Sequence, residues 1–162
     1  FEPYRVKRIT TFLNPSFDPQ GIGYQINQAL IAIGSGGLWG YGYGLSRQKH
    51  NYLPEAFSDS IFAVMAEELG LLRVLLILVL FVAFVIRGLQ ISLKAPDLFG
   101  KMLGIGIMSM IVVQVSINIA AITGLLPLTG IPLPFFSYGS SALIILLAEI
   151  GILLNISRQA RI

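Results

Sequence analysis

The sequence predicts an all-α integral membrane protein, and three observations predict it. Of its 162 residues, 55% are apolar and only 12% charged, about half the charged share of a soluble domain. The mean hydropathy of +0.79 asks for lipid, rather than one core, to take up the apolar surface. Sparsely charged runs near the ~20 residues that cross a bilayer core recur along the chain, separated by short basic or Pro-rich links. A net charge of +3 would suggest nucleic acid in a soluble protein, but Lys and Arg beside apolar spans are membrane anchors, and no nucleic-acid partner is expected. With no cysteine and a single histidine, His50, disulfides, thiolate metal sites and imidazole clusters are excluded.

Residues 1–59 form a long segment expected outside the cytoplasm. Its start, Phe1-Glu2-Pro3-Tyr4, lacks the initiator Met, basic start and apolar core of a signal peptide, so the chain is read as the C-terminal piece of a longer protein. Ile22, Ile26, Ala29, Leu30 and Ile33 fall on one stripe of a short amphipathic helix, which lies on the membrane surface or packs against other spans. Gly34-Ser35-Gly36-Gly37 and Gly40-Tyr41-Gly42-Tyr43-Gly44 then break any helix. Their exposed amides could hold a phosphate, or they form a re-entrant turn under neighbouring helices, the reading that glycine content alone favours. Arg5, Lys7, Arg8, Arg47 and Lys49 are unusual on an outer segment, and an anionic ligand is one explanation.

Residues 60–162 are predicted to hold three membrane helices, near 60–88, 102–126 and 140–157. The first is uncharged only between Arg73 and Arg87, too short to cross unaided, and must draw in Glu67 and Glu68. These carboxylates are expensive at that depth unless paired, with Arg73 for example, or facing a water-filled cavity. The second carries no charge; Gly104, Gly106 and Ser109 can let a neighbouring helix approach closely. The third is short and contains Glu149, with Phe135, Phe136 and Tyr138 as interfacial anchors before it. Lys and Arg near the span ends put residues 87–101 and the tail from Ser157 in the cytoplasm, and Pro127–Gly139, which has none, outside.

The chemistry concentrates in Ser46–Asp59, where cations come first and carboxylates second. Ser58 or Asp59 can cap the helix that begins near Ser60. Alternatively, Asp59 is a general base at the membrane boundary, roughly 5–8 Å from a cation that grips a phosphate.

The strings Gly34-Ser35-Gly36-Gly37, Ser46-x-Gln48-Lys49, Tyr52-Leu53-Pro54-Glu55, Ser58-Asp59, Ile61-Phe62-Ala63 and Glu67-Glu68-Leu69-Gly70 resemble the SEDS proteins. So do Leu125-Leu126-Pro127-x-Thr129-Gly130, Pro132-Leu133-Pro134-Phe135 and Ser137-Tyr138-Gly139-x-Ser141. In its Gln48-Lys49 step the chain resembles the division branch, FtsW, more than the elongation branch, RodA. The resemblance implies the C-terminal part of a SEDS fold of about ten helices in the bacterial inner membrane, at the division site. It further implies polymerisation of lipid II into glycan strands, beside a class B penicillin-binding transpeptidase, other divisome proteins and membrane lipid. Asp59 falls on the family's essential carboxylate and Lys49 on its loop lysine.

Joining a sugar hydroxyl to the anomeric carbon of a diphosphate-linked sugar needs a base and positive charge for the leaving group. Asp59 suits the first; Lys49, with Arg47 second, suits the other. Glu55, Gly36, Gly37 and Ser137 complete the expected substrate-binding set, and Glu67 and Glu68 support it. One base opposite the leaving group implies inversion. No metal site is expected, a divalent cation on the diphosphate is left open, and the segment alone is expected to be inactive. The alternatives are a lipid II flippase, with Glu67, Glu68, Gln114, Asn118 and Glu149 lining a polar passage, and a non-catalytic division scaffold.

Overall fold

The structure, a computed structural model, describes residues 8, 10–12, 21–46 and 58–159. Among these the regular elements are all helices: α1 (Ile22–Ser35), α2 (Ile61–Leu93), α3 (Leu98–Ile122) and α4 (Ser140–Gln159). Arg8 and Thr10–Phe12 are also helical. Helices α2, α3 and α4 are long and apolar enough to cross a membrane, which is the class that the composition predicts.

Three of the expected boundaries move. Helix α2 runs on to Leu93 and α3 starts already at Leu98, because the Asp97 side chain caps α3, accepting from the Gly100 amide at 2.7 Å. Helix α3 stops at Ile122, short of the expected 126. Gly124 takes a left-handed φ of +75°, and the amides of Leu125 and Leu126 turn back onto the Ala120 carbonyl at 2.8 and 3.1 Å.

Helix α1 buries Ile26, Ala29 and Ala32 in the core formed with the first turns of α2 and the end of α3. Its apolar stripe therefore packs against other helices. The Gln25 side-chain amide ties it to the start of α2 by donating to Ser60 Oγ at 3.1 Å.

Helix α2 is not continuous. At Gly70 the backbone leaves the helical region, with φ +76° and ψ 170°, and the glycine-rich segment after α1 fills the break. The amides of Tyr41 and Gly42 donate to the carbonyls of Glu67 and Glu68, both at 3.0 Å, while those of Leu71 and Leu72 donate to Gly37 and Leu38 at 2.9 and 3.3 Å. Arg73 Nη1 adds a bond to the Trp39 carbonyl at 3.0 Å. Non-helical backbone at membrane depth is tolerated only where protein satisfies it, and here the break and the loop satisfy each other. Only glycine fits: a Cβ on Gly40 would stand 2.3 Å from the Glu68 carbonyl oxygen, and one on Gly70 2.3 Å from the Gly40 nitrogen. Of the two readings of this stretch, the re-entrant turn describes its packing.

Nearer the Asp97 end, α2 and α3 approach through Gly88, which rests against Met108, and Gly104, which rests against Ser92. Gly104 thus acts as expected, whereas Gly106 faces open space. Leu146 and Leu153 of α4 close a second core with Met108 and Ile111.

The link between α3 and α4 also re-enters the bundle. Its carbonyls at Ile131 and Pro132 are held by Asn118 and Gln114 of α3 at 2.8 and 3.0 Å. Phe135, expected as an interfacial anchor, turns onto α2 instead, edge-on to Phe81 and Phe84 at centroid distances of 6.1 and 5.8 Å. It does so with φ +70°, a left-handed conformation rare outside glycine.

Candidate functional site

Asp59 sits where the start of α2, the end of α3 and the α3–α4 link converge. Its carbonyl accepts from Asn118 Nδ2 at 2.9 Å, and its carboxylate accepts from the neighbouring Ser58 hydroxyl at 3.0 Å. The N-cap position of α2 is Ser60, which makes no side-chain cap bond; its hydroxyl accepts from Gln25. Ser58 and Asp59 thus bond to each other, and among the described residues neither side chain caps the first turn. The carboxylate is half-buried.

A second charged residue near Gly130 was not legible as a site residue. A Cβ placed on Gly130 would lie 3.6 Å from both Asp59 Oδ2 and Arg8 Nη2, so carboxylate and guanidinium flank one point on the link. Gly130, with φ +71°, leaves that point clear. In the sequence Arg8 is one of five outer cations without distinguishing spacing, and only the fold selects it. Asn118 was visible as a polar residue of an apolar span and as a lining residue of the flippase alternative, and not as a partner of Asp59.

Lys49, Arg47 and Glu55 lie outside the described residues. Gly36 is buried against α2, where a Cβ would meet the Ala66 carbonyl oxygen at 2.1 Å. Gly37 is exposed, and its carbonyl serves the helix break. Ser137 faces inward on the link, where its hydroxyl accepts from the Leu133 amide at 2.6 Å. Glu67, 1% exposed, accepts a hydrogen bond from the Ser46 hydroxyl, and so tethers the end of the glycine loop. Arg73, the expected partner of Glu67 or Glu68, spends its guanidinium on the Trp39 and Leu69 carbonyls.

The polar residues considered for a transmembrane passage are divided between sites. Gln114 and Glu149 share a cavity of about 250 Å³ under the Pro-rich link, while Glu68 lines another of about 330 Å³ with Tyr43 and Phe136. Among the described residues no group of three or more His, Asp or Glu could hold a metal ion.

A family profile described as cell cycle protein, and covering FtsW, RodA and SpoVE, matches residues 1–162. The chain belongs to the FtsW/RodA/SpoVE family. It is 56% identical over 159 residues to stage V sporulation protein E of Bacillus subtilis (strain 168), covering 98% of this chain and 43% of that one. To the probable peptidoglycan glycosyltransferase FtsW of Trichlorobacter lovleyi it is 49% identical, over 95% of this chain and 40% of the relative. To the peptidoglycan glycosyltransferase MrdB of Escherichia coli (strain K12) it is 46% identical, over 94% and 42%. A solved structure described as "Structural coordination of polymerization and crosslinking by a peptidoglycan synthase complex" superposes with a TM-score of 0.72 at 29% identity, over 98% of this chain and 43% of that one. The chain therefore spans 40–43% of the length of these relatives. The all-helical bundle with its three candidate spans is consistent with part of a polytopic member of this family.

Proposed function

We propose that this chain carries the catalytic carboxylate of a peptidoglycan glycosyltransferase that polymerises lipid II in the bacterial inner membrane during division. Asp59 acts as the general base. It takes the proton from an acceptor sugar hydroxyl as that oxygen bonds to the anomeric carbon of a second, diphosphate-linked sugar. The bond from that carbon to the diphosphate oxygen breaks, and its electron pair leaves with the diphosphate. Attack opposite the leaving group inverts the anomeric centre.

Positive charge stabilises the departing diphosphate. Lys49 supplies it, with Arg47 second, and Arg8, which shares the Gly130 point with Asp59, joins them. Glu55, Gly36, Gly37 and Ser137 shape the substrate site, with Glu67 and Glu68 behind it. The isoprenoid tail accounts for a sugar-transfer site placed against membrane helices, and a class B penicillin-binding transpeptidase is the partner that would cross-link the product.

The observation that supports this reading is an uncapping, half-buried Asp59 carboxylate that shares the Gly130 point with the Arg8 guanidinium, in a chain whose relatives are named peptidoglycan glycosyltransferases. The test is Asp59→Asn in the full-length protein with purified lipid II. Asn can still accept the Ser58 hydroxyl but cannot take a proton at neutral pH, so polymerisation falls by about 100-fold or more. A folded Asp59→Asn protein that polymerises near the wild-type rate refutes the mechanism. Lys49→Gln weakens lipid II use far more than Arg5→Gln, and equal effects of the two remove Lys49 from the site.

A further inference from the structure

We infer that Asn118 is a positioning residue that fixes Asp59 against the Gly130 point by holding the Asp59 backbone, an inference that rests on Asp59 being the base. Asn118 is 2% exposed, near the end of a largely apolar span, where an amide is costly unless its hydrogen bonds are used. Both of its donor positions are used. Nδ2 donates to the Asp59 carbonyl at 2.9 Å and to the Ile131 carbonyl at 2.8 Å. The opposite rotamer would set the amide oxygen against two carbonyl oxygens, so the donor orientation follows from the partners.

The other half of the amide is not satisfied: Oδ1 is buried and has no hydrogen-bond partner among the described residues. An apolar side chain of similar size would remove this unmet acceptor but would leave the Asp59 and Ile131 carbonyls without the Asn118 donor. What the amide provides is the tie between two segments far apart in sequence. One is the residue that carries the carboxylate. The other is the link that presents Gly130.

Gln114, one turn earlier on α3, supplies the comparison. It donates to the Pro132 carbonyl at 3.0 Å and so holds the same link without touching Asp59. Losing Gln114 loosens the link alone, whereas losing Asn118 frees Asp59 from the link. Displacing a reacting group by about 1 Å can lower turnover by about 100-fold without touching substrate binding, so the loss falls on kcat.

Asn118→Ala, Asn118→Ser, Gln114→Ala and Asp59→Asn are made in the full-length protein, and kcat, KM for lipid II and the melting temperature are measured for each. The expected result is a kcat about 10- to 100-fold lower for Asn118→Ala with KM within about 3-fold. Gln114→Ala keeps kcat within about 2-fold, and Asn118→Ser, whose hydroxyl can serve only one carbonyl, falls between. Should Asn118→Ala fail to fold, the Ser variant carries the test against Gln114→Ala. Wild-type kcat in both Asn118 variants, while Asp59→Asn is inactive, overturns the positioning role and leaves the base intact. Equal losses of kcat and melting temperature in the Asn118 and Gln114 variants also overturn it, because the amide is then an ordinary structural tie. An active Asp59→Asn protein removes the base itself, and the positioning role with it.

Discussion

The meeting of Gly40 with Gly70 allows a graded prediction, because the surroundings of each glycine differ. Alanine at position 70 would hold a left-handed φ of +76° with ψ at 170°, a conformation that costs about 1–3 kcal/mol for a residue with a Cβ. Its methyl would also stand 2.3 Å from the Gly40 nitrogen, and relieving such overpacking costs about 1–3 kcal/mol more. The helix could instead close through position 70, gaining about 1 kcal/mol of helix propensity. That route severs the four backbone bonds from Tyr41, Gly42, Leu71 and Leu72, each worth about 0.5–1.5 kcal/mol net. Either way the protein loses about 3 kcal/mol. Gly40→Ala, with φ +75° and the Glu68 carbonyl 2.3 Å away, loses a similar amount.

Two other glycines serve as controls. At Gly44 the φ is +81° but nothing lies within 4 Å, so alanine there meets only the backbone strain of about 1–2 kcal/mol. Gly34 lies inside α1 with nothing within 4 Å and an ordinary φ, and alanine there is neutral or stabilising by up to about 1 kcal/mol. Thermal unfolding in one detergent should rank the variants with Gly34→Ala at or above wild type, Gly44→Ala below, and Gly40→Ala with Gly70→Ala lowest. A Gly70→Ala protein that melts with Gly44→Ala would refute the close contact between loop and broken helix.

Asp97→Ala removes the cap of α3 and should cost about 1 kcal/mol with no loss of lipid II polymerisation, since it lies at the opposite end of α3 from Asp59; Asp97→Asn should restore the stability, and both are read by melting and turnover. Phe135→Gly should melt higher than Phe135→Ala, because both lose the ring contacts with Phe81 and Phe84 while only glycine relieves φ +70°, a difference of about 1 kcal/mol. Asp97→Cys in intact cells should resist a membrane-impermeant thiol reagent, as a cytoplasmic residue must; ready modification would reverse the proposed topology.

Composition and spacing alone determine the membrane class, the three spans and the short amphipathic helix. Each rests on a local quantity, either apolar length or the period at which apolar residues recur. The motif strings likewise carry Asp59 as the candidate base. Three features of the site depend on residues remote in sequence, and only the tertiary structure decides them. The break at Gly70 exists because residues 37–42 satisfy its backbone groups, and no pattern around Gly70 announces that partner. For the Asp59 side chain the sequence offers a cap or a base; in the fold the cap is not made, because the carboxylate accepts from Ser58 and the Ser60 hydroxyl accepts from Gln25, 35 residues away in sequence. Arg8 comes to the Gly130 point, and Asn118 joins the Asp59 carbonyl to the link, where the α3–α4 link folds back into the bundle, and the hydrogen bonds that hold it there end on backbone carbonyls, which carry no side-chain signature in the sequence.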